Sequence, residues 1–279
     1  MINPLFMTHR VAGIFKARGN KNAIGMLRRC CIGVGLMMLS HGAAGVDLSH
    51  LILNTANYPP ANFEQNGEIS GYAVDLLFAA AKQAGSPLNK QQLNMQPWAR
   101  SYRETVTNSN ALLFATTRTA HREKLFHWIG PIHDIKVVVL ARKDAHIEVN
   151  KPIDMAKYRI GVIRDDVGEQ GLLALGLPRE SLQEATSIRI LAQQLHKKRI
   201  DLLAYDQSVA LWWANKIGLN ADDFEAVYTL KSGELYFAAN KQMSPEVVDA
   251  LQRGLDALKA TQVEPGVSVY QQIIDRYWQ

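Results

Sequence analysis

Cysteine is nearly absent from this sequence. The 279 residues include only Cys30 and Cys31, too few for the disulfide framework of a small secreted domain. Acidic residues are absent before Asp47, and no apolar run beyond residue 45 approaches the roughly 18 residues of a membrane-spanning helix. Walker A and Gly-x-Gly-x-x-Gly motifs are also missing, so the sequence predicts no nucleotide cofactor.

Positive charge is unevenly distributed along the chain. The 31 Lys and Arg outnumber the 26 Asp and Glu, which gives a formal charge of +5 and suggests nucleic acid or a membrane surface as partner. Six basic residues precede position 45, however, and the remainder holds 25 basic and 26 acidic residues, a net charge of −1. The sequence therefore predicts no nucleic-acid partner. With 47% hydrophobic residues, it also predicts a globular chain.

The first 44 residues are predicted to be a signal peptide. The basic pair Arg28-Arg29 precedes an apolar run from Cys30 to Leu39 and then small residues, which is the anatomy of a secretory signal. The run is too short to span a bilayer. A buried N-terminal helix is the alternative, disfavoured by two glycines within the run. Met26 is an alternative translation start, and cleavage near Ala44 would deliver the protein to the periplasm.

Short apolar runs alternate with helical patterns in the rest of the chain. Predicted strands occupy residues 51–56, 111–115, 137–141, 159–163 and 200–204, and helical patterns occupy 72–84, 188–195, 208–216 and the segment after Ser244. This alternation favours an α/β fold over an all-β fold or a helical bundle.

Two lobes are predicted, because the chain is long enough for two sheets and contains no flexible linker. The segments 137–141 and 235–239 are the candidate strands that cross between the lobes. On this interpretation lobe I comprises residues 46–139 and 240–279, lobe II comprises 140–239, and a ligand would occupy the cleft between them.

The segment from Ala111 to Ile132 carries the clearest chemical signal. A predicted strand ends in Thr116-Thr117-Arg118-Thr119, and Arg122 follows. Hydroxyl groups, backbone N–H groups and guanidinium donors at the end of a strand suit a carboxylate or phosphate. The alternative is that both arginines are surface charges, one of them paired with Glu123.

The chain resembles the extracellular solute-binding proteins of family 3, which serve ABC importers for polar amino acids. The matching motifs occur in family order across nearly all of the mature chain: Asn57-Tyr58-Pro59-Pro60, Gly71-Tyr72-Ala73-Val74-Asp75-Leu76, the Thr-Arg-Thr-x-x-Arg-Glu segment at 117–123, Trp128-x-Gly130-Pro131, and Arg199-Ile200-Asp201 leading to Asp206. The resemblance implies a two-lobed periplasmic-binding-protein fold with two crossover strands as hinge. It also implies a monomer that delivers a small ligand to an inner-membrane permease.

The resemblance assigns five ligand-binding residues. Arg122 matches the arginine that holds the carboxylate of the amino acid, and Asp206 matches the acid that receives its ammonium group. Tyr58 and Trp98 match aromatic walls of the site, and Thr117 matches a hydroxyl and N–H contact. Each has a structural alternative, since Tyr58 and Trp98 are also suited to core packing and Asp206 to capping a helix.

Three further residues are candidates only. Arg100 would be an additional anion contact, and Arg118 is assigned to the surface with a cleft role left open. Asp166 belongs to the segment 164–169, where the family usually presents a hydroxyl-rich loop and this chain has acids, with Val167 in place of the hydroxyl residue. This departure leaves open an amino acid, a more cationic ligand, an amine or a ligand without an α-carboxylate.

Binding without catalysis is the expected function. The alternatives are a ligand sensor and an enzyme on the same fold, similar to cyclohexadienyl dehydratase, in which Glu169 or Asp166 would be the acid or base. A sensory module of a larger protein is disfavoured because the chain ends at Gln279. No metal site is predicted, because the histidines at 121, 127 and 133 share no helix or strand face with acidic ligands.

Overall fold

The computed structural model describes residues 46–277. The predicted signal peptide, the alternative start at Met26 and both cysteines lie outside the described residues. The strands are β1 Ile52–Thr55, β2 Phe63–Gln65, β3 Glu68–Ser70, β4 Leu93–Met95, β5 Ala111–Thr117, β6 Phe126–Arg142, β7 Ile160–Ile163, β8 Leu182–Ala185, β9 Leu202–Asp206, β10 Phe224–Asn240, β11 Gln262–Glu264 and β12 Val267–Ser268. The α-helices are α1 Tyr72–Gln83, α2 Trp98–Thr107, α3 Val167–Ala174, α4 Ile188–His196, α5 Gln207–Lys216, α6 Pro245–Ala260 and α7 Val269–Asp275.

Eight strands form one mixed sheet in the order β4-β1-β5-β10-β6-β9-β7-β8. The outer strands form two parallel groups, β4-β1-β5 on one side and β9-β7-β8 on the other. Between the groups, β6 and β10 pair with each other in antiparallel register over most of their length. We call the side of β4-β1-β5 lobe I and the side of β9-β7-β8 lobe II.

The two long strands β6 and β10 cross between the lobes. Each has 17 residues and contains one of the predicted crossing segments, so the predicted crossover hinge is confirmed. Along β6 the apolar packing changes from the lobe I core to the lobe II cores between Val137 and Val138. Along β10 it changes between Tyr228 and Leu235. The residue limits predicted for each lobe stay predictions.

Helix α6 shows how the sequence pattern builds lobe I. Ser244 precedes the helix and Pro245 occupies its first position, where a missing N–H costs nothing. The apolar residues Val247, Leu251, Leu255 and Leu258 are buried on one face, as their helical spacing predicts. A side chain at Gly254 would collide with the backbone of Ala80, so the glycine permits α6 to approach α1 closely.

Within residues 46–277, none of the helices combines the length and apolar character needed to cross a membrane. In the same range, His, Cys, Asp and Glu side chains do not gather into a group of three that suits a metal ion.

Candidate functional site

The candidate site lies where the carboxyl ends of four strands meet. Tyr58 follows β1, Thr117 ends β5, Asp166 follows β7 and Asp206 ends β9. In open α/β sheets, ligands bind in the crevice at these ends, because the loops there diverge. All four residues line one cavity between the lobes.

The cavity is nearly closed in this conformation. Its volume is about 20 Å³, room for about one water molecule. The crossing strand β6 contributes Ile135 and Val137 to the lining. The complete lining comprises Ala56, Tyr58, Asn62, Trp98, Phe114, Ala115, Thr117, Ile135, Val137, Asp166, Val167, Tyr205 and Asp206. In this conformation the cavity has no room for a ligand much larger than water.

Two tyrosines from opposite lobes meet beside the cavity. The rings of Tyr58 and Tyr205 lie edge to face with their centres 5.9 Å apart. Burial raises the pKa of both phenols well above 10, and the negative charges of Asp166 and Asp206 raise it further. Both hydroxyl groups therefore stay protonated at neutral pH and face a negatively charged region.

Asp206 both caps a helix and lines the cavity. Its Oδ1 accepts a hydrogen bond of 2.9 Å from the backbone N–H of Val209, so the helix-capping alternative is confirmed. The side chain is buried, and burial raises the pKa of Asp206, whereas bonding to the backbone N–H groups of Val209 and Lys136 and to Tyr58 lowers it. One carboxylate oxygen is thus committed to the helix, and the ligand role of this residue stays a prediction.

Asp166 is a second carboxylate of the same cavity. It directly precedes α3, in the segment where the chain departs from the family pattern. Burial raises the pKa of Asp166, and this rise is opposed first by the positive charge of Arg122 and then by the N–H groups of Val167 and Gly168. The cavity therefore combines carboxylates from two different loops of lobe II.

Trp98 and Thr117 belong to the lobe I wall of the cavity. Trp98 begins α2, and its Nε1 donates a hydrogen bond of 3.0 Å to the backbone carbonyl of Asp165 in lobe II. Thr117 is 5% exposed at the end of β5. Its backbone carbonyl accepts a hydrogen bond of 3.3 Å from Nη1 of Arg122, so it helps to fix the guanidinium.

Arg122 is completely buried, with a relative exposure of 0%. Its Nη2 donates a hydrogen bond of 3.1 Å to the carbonyl of Asp165, and its guanidinium lies 5.1 Å from the ring centre of Trp98 and 5.4 Å from that of Tyr102. Its Nε has no hydrogen-bond partner among residues 46–277. Burial lowers the pKa of Arg122, opposed chiefly by the charge of Asp166. Arg122 is not among the residues that line the cavity, so its carboxylate-binding role stays a prediction.

The turn after β7 places a backbone carbonyl at the centre of these contacts. The carbonyl of Asp165 accepts hydrogen bonds from Trp98, Arg122 and Gln170, at 3.0, 3.1 and 3.1 Å respectively. Asp165 has a φ of 59°, and Ala115 across the cavity has a φ of 46°. Both angles lie in the left-handed region, which residues other than glycine rarely adopt. Such backbone strain is concentrated at functional sites of proteins.

Glu169 supports this turn rather than lining the cavity. Its Oε2 accepts a hydrogen bond of 2.7 Å from the backbone N–H of Asp165, and its Oε1 accepts one of 3.0 Å from Arg179. The residue is 3% exposed. Of the two acids considered for catalysis, only Asp166 lies in the cavity lining.

The two remaining arginine candidates lie away from the cavity. Arg118 is exposed, forms an ion pair with Glu123 and places its guanidinium 5.7 Å from the ring centre of Trp128. This position agrees with the surface interpretation of Arg118. Arg100 is exposed on α2 and is not a lining residue.

Sequence reasoning missed Tyr205, Asn62 and the Asp165 carbonyl. Tyr205 precedes Asp206 at the end of β9, and alternation along a strand would place one of the two on the opposite face. A backbone carbonyl carries no side-chain signal at all. For Asn62, its short distance in sequence from Tyr58 was the available sign, because the two residues form a β-bridge.

A wider cavity adjoins the first one. It measures about 320 Å³ and shares Ala56, Trp98 and Tyr205 with the smaller cavity. Its lining includes Arg189, which is exposed, and Trp213. The cleft thus has an inner part that contains the carboxylates and an outer part that contains a cation.

Comparison with known proteins agrees with this architecture. The family described as bacterial extracellular solute-binding proteins, family 3, matches residues 51–277. A comparison with curated proteins finds no match. Three solved structures share the two-lobed periplasmic-binding-protein fold at sequence identities that support the fold alone.

The first of these structures is a histidine kinase sensor domain with similarity to periplasmic binding proteins, with a TM-score of 0.70, 17% identity and coverage of 82% of this chain and 96% of that one. The second is an ancestral arginine-binding protein bound to arginine, with a TM-score of 0.68, 20% identity and coverage of 83% and 100%. The third is the ancestral amino-acid-binding protein AncCDT-1, a precursor of cyclohexadienyl dehydratase, with a TM-score of 0.65, 21% identity and coverage of 82% and 95%.

Proposed function

Because the chain belongs to family 3 of the bacterial extracellular solute-binding proteins, we propose that it captures a small, polar, amino-acid-like ligand in the periplasm and delivers it to an ABC importer. The observation that carries this proposal is the lining of the inner cavity. Four of the five ligand residues expected from the family, Tyr58, Trp98, Thr117 and Asp206, lie around it. The protein acts as a monomer with a permease in the inner membrane as its partner.

Ligand binding would drive closure through contacts with both lobes. Tyr58, Trp98 and Thr117 belong to lobe I, whereas Asp166, Tyr205 and Asp206 belong to lobe II. A ligand that touches both sets binds the closed form more tightly than the open form and shifts the population accordingly. The crossing strands β6 and β10 provide the hinge for this motion.

A thermal-shift screen tests the proposal. The purified protein is heated with each of the twenty amino acids, with small amines and with small carboxylates, and at least one compound should raise its Tm by mass action. Asp206→Asn should abolish that rise while the free protein stays folded, because asparagine caps helices as well as aspartate does. Asp223→Asn, the same change at an exposed position, is the matched control. Ligand shifts that stay unchanged in Asp206→Asn would contradict the site.

An enzyme on the same fold is the second candidate. Asp166 supports it, since burial raises the pKa of this carboxyl inside the cavity and a proton donor or acceptor there suits acid–base chemistry. Turnover of a prephenate-like substrate that is lost in Asp166→Asn would establish this function. A sensor and a transport protein are distinguished by the uptake of labelled ligand into cells with and without the gene.

A further inference from the structure

The inner cavity contains more negative than positive charge. Asp166 and Asp206 line it, and none of its lining residues, all of which belong to the described part of the chain, is Lys or Arg. Arg122 is the cation whose charge acts on the Asp166 carboxyl. Counted together, these three groups carry a net charge of −1.

Arg122 does not remove this imbalance. Its Nη1 and Nη2 are bonded to the carbonyls of Thr117 and Asp165, and its guanidinium stacks against Trp98 and Tyr102. If Arg122 turns toward a ligand carboxylate when the lobes open, it neutralises a charge of the ligand rather than a charge of the cavity. In both arrangements the two negative charges of Asp166 and Asp206 outnumber the positive charges available to balance them.

The surrounding walls favour a cation as well. Tyr58, Trp98 and Tyr205 present aromatic rings to the cavity, and such rings attract ammonium and guanidinium groups. Both tyrosine rings lie within electrostatic range of both carboxylates. Among the described residues that line the outer cavity, the cation is Arg189, which is exposed, so solvent and salt screen its charge.

Buried charges in proteins are paired, because an isolated charge loses its hydration without compensation. We infer that the ligand of this cleft carries a net positive charge, as a basic amino acid or a polyamine does, and that Asp166 is the residue that selects for this charge. The inference rests on the proposed function, since it names the ligand class of the same site. Asp166 acts beside Asp206: one carboxylate receives an ammonium group, and the other balances the additional charge.

Isothermal titration calorimetry with charge-matched probes tests the inference. The probes are arginine and lysine with a net charge of +1, agmatine and cadaverine as their decarboxylated forms, glutamine as a neutral amino acid and glutamate as an anionic one. The tightest-binding probe should be a cation. In Asp166→Asn its affinity should fall about 30-fold or more, as expected when one partner of a charge pair in a narrow cleft is removed.

The control variant is Asp223→Asn. It changes the net charge by the same amount at an exposed position that does not line the cavity. Its affinity for cations should stay within about threefold of that of the wild type. Asp166→Ser, which keeps an oxygen able to cap α3, provides a second variant if Asp166→Asn is unstable.

The outcomes separate the two proposals. Binding of glutamine or glutamate more tightly than any cation would overturn the charge inference and leave the binding function intact. Equal losses in Asp166→Asn and Asp223→Asn would remove Asp166 as the selecting residue. Absence of heat and of thermal stabilisation with every amino acid, amine and carboxylate would contradict the binding function itself.

Discussion

Nη2 of Arg122 donates a hydrogen bond of 3.1 Å to the backbone carbonyl of Asp165, from lobe I to lobe II. The arginine that the family pattern assigns to the ligand carboxylate is therefore also a link between the lobes in the closed structure. Its Nε has no hydrogen-bond partner among residues 46–277, so a donor remains for a ligand carboxylate. Separation of the lobes would break the same bond, because its donor and its acceptor belong to different lobes.

Trp98→Phe should shift the protein toward the open form. The change removes the 3.0 Å hydrogen bond from Nε1 to the Asp165 carbonyl and keeps an aromatic ring. A net loss of about 1 kcal/mol corresponds to about a fivefold change in the closed-to-open ratio. Small-angle X-ray scattering of the ligand-free protein should record a larger radius of gyration.

Trp128→Phe is the matched control for this substitution. The Nε1 of Trp128 is buried and has no hydrogen-bond partner among residues 46–277. The radius of gyration of this variant should equal that of the wild type. An equal increase in both variants would show that the Trp98–Asp165 bond does not hold the lobes together.

Glu169→Gln should destabilise the protein. The carboxylate is buried, and its two oxygens accept hydrogen bonds from the Asp165 N–H and from Arg179. An amide has one acceptor oxygen, so in either orientation it directs its NH2 group at one of these donors. The expected loss in the free energy of unfolding is about 1–3 kcal/mol, measured by urea denaturation. The exposed Glu180→Gln should change it by less than about 0.5 kcal/mol. Equal stability of both variants would contradict the supporting role of Glu169.

Two glycines of α3 should respond in opposite directions to alanine. A Cβ at Gly168 would lie 2.6 Å from the carbonyl oxygen of Ala204, a backbone atom of β9 that cannot move aside. Gly168→Ala should therefore cost about 1–3 kcal/mol and weaken ligand binding, since Asp166 begins the same helix. At Gly171 the nearest atom lies 3.7 Å away, an ordinary contact. Gly171→Ala should stabilise the protein by about 0.4–1 kcal/mol. Urea denaturation measures both variants, and a Gly168→Ala protein more stable than Gly171→Ala would contradict this packing.

The stability of the ligand-free protein should depend on pH through Asp166. Burial raises the pKa of this carboxyl in the folded protein, so the folded state binds a proton more readily than the unfolded chain. Stability linked to this group is therefore lost as pH rises from the unfolded carboxyl pKa of about 3.9 through the raised value. The charged and titratable groups around the Asp166 carboxyl are those of Arg122, Tyr58, Tyr205 and Asp206.

Comparison of the wild type with Asp166→Asn isolates this contribution. Between about pH 4 and pH 7 the Tm of the wild type should fall relative to that of the variant, because the amide does not titrate. Scanning calorimetry in both proteins measures the difference. Parallel Tm profiles would indicate that Asp166 titrates normally.

The positions of several central strands were predictable from sequence, whereas β2, β3, β4 and β8 were not predicted. Apolar runs at 111–115 and 200–204 identified β5 and β9 because buried strands need continuous apolar residues. Thr117 and Asp206 come shortly after these runs. Their position at the mouth of the cleft could therefore be inferred from the strand positions. The partners of Arg122 were not predictable, because one is a backbone carbonyl that faces the cleft only through the left-handed turn at Asp165.

The sequence by itself determined the α/β alternation, the two crossing strands and the polar residues that gather at strand ends, because each depends on local periodicity and on chain order. Only the tertiary structure decided which charges share a cavity. It placed Asp166 and Asp206 in the lining of one cavity, kept Arg118 at the surface and bonded Arg122 to the opposite lobe. These placements arise because the two lobes pack against each other. Contacts between residues far apart in sequence cannot be identified from the local sequence pattern of either lobe.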